Sequence, residues 1–327
     1  MMRAVIRGIG HSVPEKILTN KDLEKLVETN DEWILQRTGI SERRVASPDE
    51  FASTFSIESA RMALDNAGIA PAEIDLVIVG TVSGDRLFPS TACMVQDALA
   101  MPHAGAMDLG AACAGFIYSL SVGAAMIESG RAKKVLVVGV DVLTKFVDYT
   151  DRSTCILFGD GAGAVVLEGM ENTNRGILDT VLLSDGSGGK HIKIDCGASF
   201  RPIPDERTSG DNPYIVMAGS EVYRFAVNAM GDACLKALEM AGLTSADIDL
   251  FVPHQANLRI IESAAKKLDL PDEKVFINVE RYGNTSGGSI PIALSEAVQE
   301  GRLKEGMLVM TVGFGAGLVW GANLIRW

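Results

Sequence analysis

No stretch of this 327-residue chain strings together the roughly eighteen apolar residues that a membrane-crossing helix needs, so no transmembrane span is expected. Cysteine is scarce and scattered: Cys93, Cys113, Cys155, Cys196 and Cys234 form no CxxC pair and are odd in number. That spacing supports neither a disulfide framework nor a structural zinc site, and no metal is expected. It points to a reduced, cytoplasmic setting with at least one thiol free for chemistry. Basic residues are outnumbered, 30 Lys and Arg against 42 Asp and Glu, for a net charge of −12. Nucleic acid and anionic membrane are therefore disfavoured as partners, and an acidic partner would need a local basic patch. The N-terminal MMRAVIRGIGHSVPEK has too short and interrupted an apolar run for a signal peptide, and reads as a first strand entering a turn. No low-complexity linker divides the chain, so its parts are expected to pack as one body.

Small and apolar residues are abundant instead. Hydrophobic residues make up 47% of the chain and 34 residues are glycine, whereas aromatics are only 6%, a mix suited to an α/β core with tight turns. The length exceeds one ordinary domain, and the sequence contains itself twice. ALDNAGIAPAEIDLVIVG (residues 63–80) and ALEMAGLTSADIDLFVPH (237–254) each describe a helix closed by glycine, a turn and a buried strand. GRAKKVLVVGV from Gly130 and GRLKEGMLVMTVGF from Gly301 repeat a second helix end and strand at nearly the same offset. Two fused βαβ-type halves, 1–171 and 172–327, are expected, divided at the polar Asn172–Arg175. Both sheets should be mostly parallel with an antiparallel edge, and buried helices should lie between them. Adding about 171 to Cys113 reaches Asn284, so these two should occupy equivalent strand-to-helix corners facing one cleft.

Three segments could carry chemistry. In GAMDLGAACAGFIYSL (Gly105–Leu120) a strand ends, small residues turn, and a helix begins after Cys113. A helix N-terminus favours the thiolate, so the Cys113 pKa is expected below the usual value of about 8.5. Taken alone, the segment fits a buried structural cysteine equally well. In DLFVPHQANLRIIESAAKKL (Asp249–Leu268), His254 follows a buried strand at its C-terminal end, where open α/β sheets place ligands. Only four histidines exist, although His254 by itself reads as a core or capping residue. In NVERYGNTSGGSIPIAL (Asn278–Leu294), Asn284 would be ordinary turn chemistry were it not for its match to Cys113. Cys113 then serves as nucleophile, with His254 and Asn284 donating hydrogen bonds to a thioester oxygen. GFGAGLVWG (Gly313–Gly321) and FGDGAGAVVLE (Phe158–Glu168) run onward into strands, so neither is a dinucleotide fingerprint. The first suits a close substrate approach with oxyanion amides, the second a hairpin turn.

With GAACAGF, VPHQAN, YGNTSGGS and GFGAGLVWG in this order, the chain resembles β-ketoacyl-acyl-carrier-protein synthase III from Val5 to Trp327, including RTGISERR (37–44) and FPSTAC (88–93). The resemblance implies a five-layer αβαβα thiolase-like fold, a homodimer, and priming of fatty acid synthesis from acyl-CoA and malonyl-acyl-carrier protein. No cofactor is implied beyond the coenzyme A thioester substrate. It also implies Cys113, His254 and Asn284 as catalytic residues and the amides of Cys113 and Ala316 as the oxyanion hole. Thr29, Trp33, Arg37, Arg152, Gly219 and Asn257 match coenzyme A-binding positions, Trp33 and Arg152 being the pair around the adenine. Ser220 replaces an Asn of some relatives. Phe88 resembles a residue that a partner subunit lends to the primer pocket. Arg259, Lys266 and Lys267 share one face of an amphipathic helix, a surface for an acidic carrier protein or simply a solvated face.

Within the same fold, a thiolase would show a second active cysteine, a hydroxymethylglutaryl-CoA synthase a catalytic glutamate, and an elongating ketosynthase two histidines. A plant-type polyketide synthase would usually be longer. A priming ketosynthase of polyketide or alkylquinolone-type biosynthesis stays close. A nicotinamide-dependent oxidoreductase would need a strand, GxGxxG and a helix, an order this sequence lacks, and a non-catalytic scaffold would be expected to lose one of the three polar residues.

Overall fold

The computed structural model describes residues 2–199 and 212–327, which build two sheets interleaved with helices. The first sheet comprises β1 (Met2–Ser12), β2 (Leu76–Gly80), β3 (Gly105–Leu109), β4 (Lys134–Val142) and β5 (Asp160–Glu171), in the order β1-β5-β4-β2-β3. The second comprises β6 (Gly176–Ser184), β7 (Leu250–Pro253), β8 (Leu308–Gly315) and β9 (Val319–Arg326), in the order β7-β8-β9-β6. A parallel bridge between Phe251 and Val275 continues the second sheet at the edge that β3 occupies in the first.

Helices α1 (Ala52–Ala67) and α2 (Thr91–Ala98) pack on the outer face of the first sheet. Helices α3 (Gly115–Glu128) and α6 (Ser289–Gln299) lie between the sheets, and α4 (Gly219–Ala241) and α5 (Leu258–Lys267) cover the second. The layers are therefore αβαβα. The central helices are apolar almost all round, as helices covered on every side must be, whereas α5 keeps a charged outer face. Gly163 of β5 has no side chain because a Cβ there would lie 2.7 Å from Pro291 of α6. FGDGAGAVVLE is thus a buried strand that admits a helix, where the sequence suggested a hairpin turn.

The sheets are mixed, a correction to the expected mostly parallel order. β2 pairs parallel with β3 and β4, and β7 with β8, but β5 is antiparallel to both β4 and β1, and β9 to both β8 and β6. Only Ala316–Leu318 separates β8 from β9, and a connection that short cannot make a parallel crossover.

The internal repeat is more regular in space than in sequence. β1 and β6, β2 and β7, β4 and β8, and α3 and α6 begin 174 positions apart. The turns that open the central helices, Ala112–Ala114 and Ser286–Gly288, keep this interval, and Ala112 and Ser286 both hold positive φ, 44° and 49°. Cys113 therefore corresponds to Gly287, not to Asn284. The offset of 171 arose because the link from Gly301 to β8 is three residues longer than that from Gly130 to β4, while α6 is three shorter than α3. Asn284 still lies at the corresponding corner, just ahead of its turn.

A strap from the N-terminal half crosses toward the second sheet. Its strands Ile17–Thr19 and Glu42–Arg44 pair antiparallel and flank the helix Asp31–Thr38. Fully buried Arg43 donates to the carbonyls of Leu18 (3.1 Å) and Ile156 (2.9 Å) and to Asn20 Oδ1 (2.9 Å). Asn257 Nδ2 donates to the Arg37 carbonyl at 2.9 Å, tying the strap to the start of α5.

Candidate active site

Cys113 sits in the turn that opens α3, nearly buried, with the Ser286 hydroxyl 3.2 Å from Sγ. Burial, chiefly, pushes the thiol up to about 12; the Ser286 hydrogen bond opposes this and the nearby Asp141 carboxylate adds to it. The expected lowering by the helix terminus is overturned, because stripping water from the sulfur costs a thiolate more than one helix dipole returns. At pH 7 the group is a neutral thiol.

His254 follows β7 and is fully buried. Its Nδ1 lies 2.6 Å from the Ser289 hydroxyl, while Nε2 has no partner among the described residues. Burial lowers its pKa to about 3, so the ring is a neutral imidazole at pH 7. The Phe314 ring meets it edge-on at 5.6 Å and fixes its plane.

Asn284 Oδ1 accepts the Ser286 N–H at 2.8 Å, which commits the oxygen and leaves the amide NH2 for the cavity that Asn284 lines. The end of β8 passes so close that a Cβ on Gly315 would stand 2.6 Å from the Cys113 nitrogen, so glycine is required there. Next to it, the Ala316 N–H has no acceptor among the described residues.

Two cavities meet at Cys113. One, of about 300 Å³, runs past His254, Asn284 and Phe314 out to Trp33, Arg37, Gly219 and Asn257. The other, of about 450 Å³, is lined by Val82, Leu143, Phe158, Ile194, Ile215 and Ala316 and is mostly apolar. At the mouth of the first, the Arg152 and Arg37 guanidinium groups lie 5.2 and 5.7 Å from the Trp33 ring. Arg152 also donates to the Glu28 carbonyl at 3.0 Å. Thr29, beside Glu28, does not line this cavity; its hydroxyl is buried without a partner among the described residues.

The three basic residues of α5 have different surroundings. Arg259 stacks on Tyr223 at 5.6 Å and joins Arg37 and Arg224 along a groove beside the mouth. Lys267 is held by Asp232 at 2.6 Å, and Lys266 lines a separate groove with Glu262, Asp269 and Asp272. A spacing of seven or eight residues aligns side chains around the helix but leaves them two turns apart along it. Phe88 is 84% exposed and touches neither cavity of its own chain.

Sequence reasoning passed over three polar residues. Ser286 and Ser289 sit inside the quoted YGNTSGGS, in which only Asn284 was given a role. Asp141 ends a hydrophobic strand, and a lone carboxylate in VVGVDV was a visible signal. It is fully buried and accepts from Thr81, Val82, Ser83 and Gly287. No group of three or more His, Cys, Asp or Glu able to hold a metal occurs among the described residues.

Two sheets around a pair of central helices, with a thiol, an imidazole and a carboxamide on one cavity, define a cysteine-based condensing enzyme of the thiolase fold. The family described as 3-oxoacyl-[acyl-carrier-protein] synthase III matches residues 107–186, and its C-terminal domain matches 238–327. The chain is 50% identical to β-ketoacyl-[acyl-carrier-protein] synthase III 1 of Bacillus cereus over 326 residues, covering 100% of this chain and 99% of that protein. It superposes on the crystal structure of 3-oxoacyl-[acyl-carrier-protein] synthase III from Aquifex aeolicus VF5 with a TM-score of 0.91 at 45% identity, covering 99% of this chain and 100% of the other. The priming β-ketosynthase of the R1128 polyketide pathway gives 0.91 at 38%, covering 98% and 96%. The chain belongs to the β-ketoacyl-[acyl-carrier-protein] synthase III family.

Proposed function

We propose that Cys113 carries the acyl group and that His254 and Asn284 hold the malonyl thioester in the decarboxylative condensation that begins fatty acid synthesis. An acyl-CoA enters past Trp33, with Arg37, Arg152, Gly219 and Asn257 along its path; Thr29 adjoins Glu28, whose carbonyl accepts from Arg152. Cys113 attacks the thioester carbonyl, its proton leaves on the coenzyme A sulfur, and the acyl chain lodges in the apolar cavity. Malonyl-acyl-carrier protein follows. Its malonyl group loses CO2, and the electron pair left behind is stabilised as an enolate by donors on His254 Nε2 and Asn284 Nδ2. The enolate carbon attacks the acyl-cysteine carbonyl. The amides of Cys113 and Ala316 take the oxyanion, and collapse expels the Cys113 thiolate.

The observation that carries this reading is the unpartnered His254 Nε2 on the same cavity as Cys113 and Asn284, whose oxygen is held by the Ser286 N–H so that its NH2 is turned toward the thiol. Intact-protein mass spectrometry after incubation with a panel of acyl-CoAs tests it. One acyl mass should be gained by the wild type and none by Cys113→Ala; the best-loaded acyl names the primer. Equal loading of the mutant would overturn it. The alternative, priming of a polyketide, draws on the 38% likeness to the R1128 enzyme, and the higher identities to β-ketoacyl-[acyl-carrier-protein] synthases III favour the first reading.

Arg259 in its groove beside the mouth is the docking point for the acidic carrier protein, with Lys266 and Lys267 further along α5. The working unit is a homodimer. The outer edge of β3 is unpaired among the described residues, Met107 is exposed on it, and Leu87 and Phe88 stand in solvent nearby in the chain, an arrangement a second copy would cover. The halves are residues 1–171 and 172–327. All five cysteines are free, which suits the reducing cytoplasm. No helix among the described residues is long and apolar enough to cross a membrane.

A further inference from the structure

We propose that Ser289 locks His254 in the tautomer whose proton is on Nε2, so that the ring serves as a fixed donor toward the substrate carbonyl and not as a base. The proposal rests on the reading of His254 given above and names what enforces it.

Ser289 Oγ accepts the Gln255 N–H at 3.1 Å and lies 2.6 Å from His254 Nδ1, its only two side-chain contacts among the described residues. A serine hydroxyl has one proton to give. Were Nδ1 protonated, the oxygen would face two donors and its own buried proton would have no acceptor, a costly arrangement at a residue 1% exposed. With Nδ1 as acceptor, every group is satisfied: Gln255 N–H to Ser289 Oγ, and Ser289 O–H to Nδ1. The ring proton then belongs on Nε2, the atom left without a partner on the cavity side.

The chain is anchored beyond Ser289. Gln255 Nε2 donates to the carbonyls of Pro253 (2.8 Å) and Phe276 (3.2 Å), and its Oε1 accepts the Asn278 N–H at 3.0 Å. The Asn278 amide in turn donates to buried Glu296 at 2.8 Å. Gln255 therefore cannot turn its backbone N–H away from Ser289. The Gln255 N–H to Ser289 and the Ser289 O–H to His254 point the same way, so the first polarises the second.

The test is 15N nuclear magnetic resonance of the full-length protein labelled at its four histidines, with His254 assigned from its missing signals in His254→Asn. At pH 7 the wild type should show a pyridine-type Nδ1 and a pyrrole-type Nε2. The reverse pattern, or a mixture, overturns the proposal. Ser289→Ala should release the lock into a mixture and lower condensation about tenfold to a hundredfold, the range set by losing one buried partner, with acylation of Cys113 far less affected. Ser289→Thr, which keeps the hydroxyl, should restore both. An Ala variant that keeps one tautomer and loses both half-reactions equally would also overturn it. If Ser289→Ala does not fold, the wild-type spectrum still decides. A wild type that never loads an acyl group would instead remove the assigned activity, with the spectrum still reading the role of Ser289.

Discussion

The Asp141 carboxylate accepts the Gly287 N–H at 3.0 Å, a hydrogen bond that joins the end of β4 in one half to the Asn284 turn in the other. The same carboxylate accepts from Thr81 Oγ1 (3.0 Å), Val82 N (2.9 Å), and Ser83 N (3.1 Å) and Oγ (2.7 Å). One buried side chain thus sets the spacing between the loop after β2 and the turn carrying Asn284 and Ser286. Asp141→Ala would orphan these donors together. Unfolding by denaturant should show a loss of roughly 3 kcal/mol or more, and condensation should fall more than Cys113 acylation. Unchanged stability would remove Asp141 from this role.

Because burial holds the Cys113 thiol up to about 12, the thiolate is a minor species near neutral pH. Alkylation of Cys113 by iodoacetamide should speed up about tenfold per pH unit between about pH 7 and 9, with no plateau. A plateau in that range would mean that the helix terminus and the Ser286 hydroxyl outweigh burial.

His254 titrates near 6.5 when unfolded and, through burial, at about 3 when folded. The unfolded chain therefore binds the extra proton first. The stabilisation from the neutral ring is complete above 6.5 and is lost as pH falls from there toward 3. His254→Asn removes this term, so on going from about pH 7 to 5 the variant should lose roughly 2 kcal/mol less stability than the wild type. Equal losses by urea titration would show that the ring is already protonated in the fold.

Trp33 and Arg259 should separate the two thioester substrates. Trp33→Ala loses a stacking surface for the nucleotide and should raise KM for acyl-CoA about tenfold or more, with little change for the carrier-protein substrate. Arg259→Glu should do the opposite, and its effect should shrink in high salt. Matching effects of either variant on both substrates would undo this division.

Much of the site could be read along the chain because its chemistry is carried by short segments with their own strand, turn and helix signals. Cys113, His254 and Asn284 each follow such a signal, and the repeat at 63–80 and 237–254 foretold two similar halves. The errors came where the answer depended on residues distant in sequence. Gly287, not Asn284, corresponds to Cys113, because a three-residue difference in a loop is invisible to an offset taken from one motif. Lys267 turned toward Asp232 on a neighbouring helix, which the α5 sequence alone does not contain.

By itself the sequence carried the doubled βαβ plan, and the resemblance of its short motifs supplied the three polar residues that line the cavity, since periodicity, caps and side-chain types are local properties. Tertiary structure alone decided their state. The thiol is neutral because two halves of the chain close over it, and the imidazole has its proton placed by a hydroxyl 35 residues away. Charge and tautomer depend on water excluded and partners supplied, and both are set by which surfaces the fold brings together.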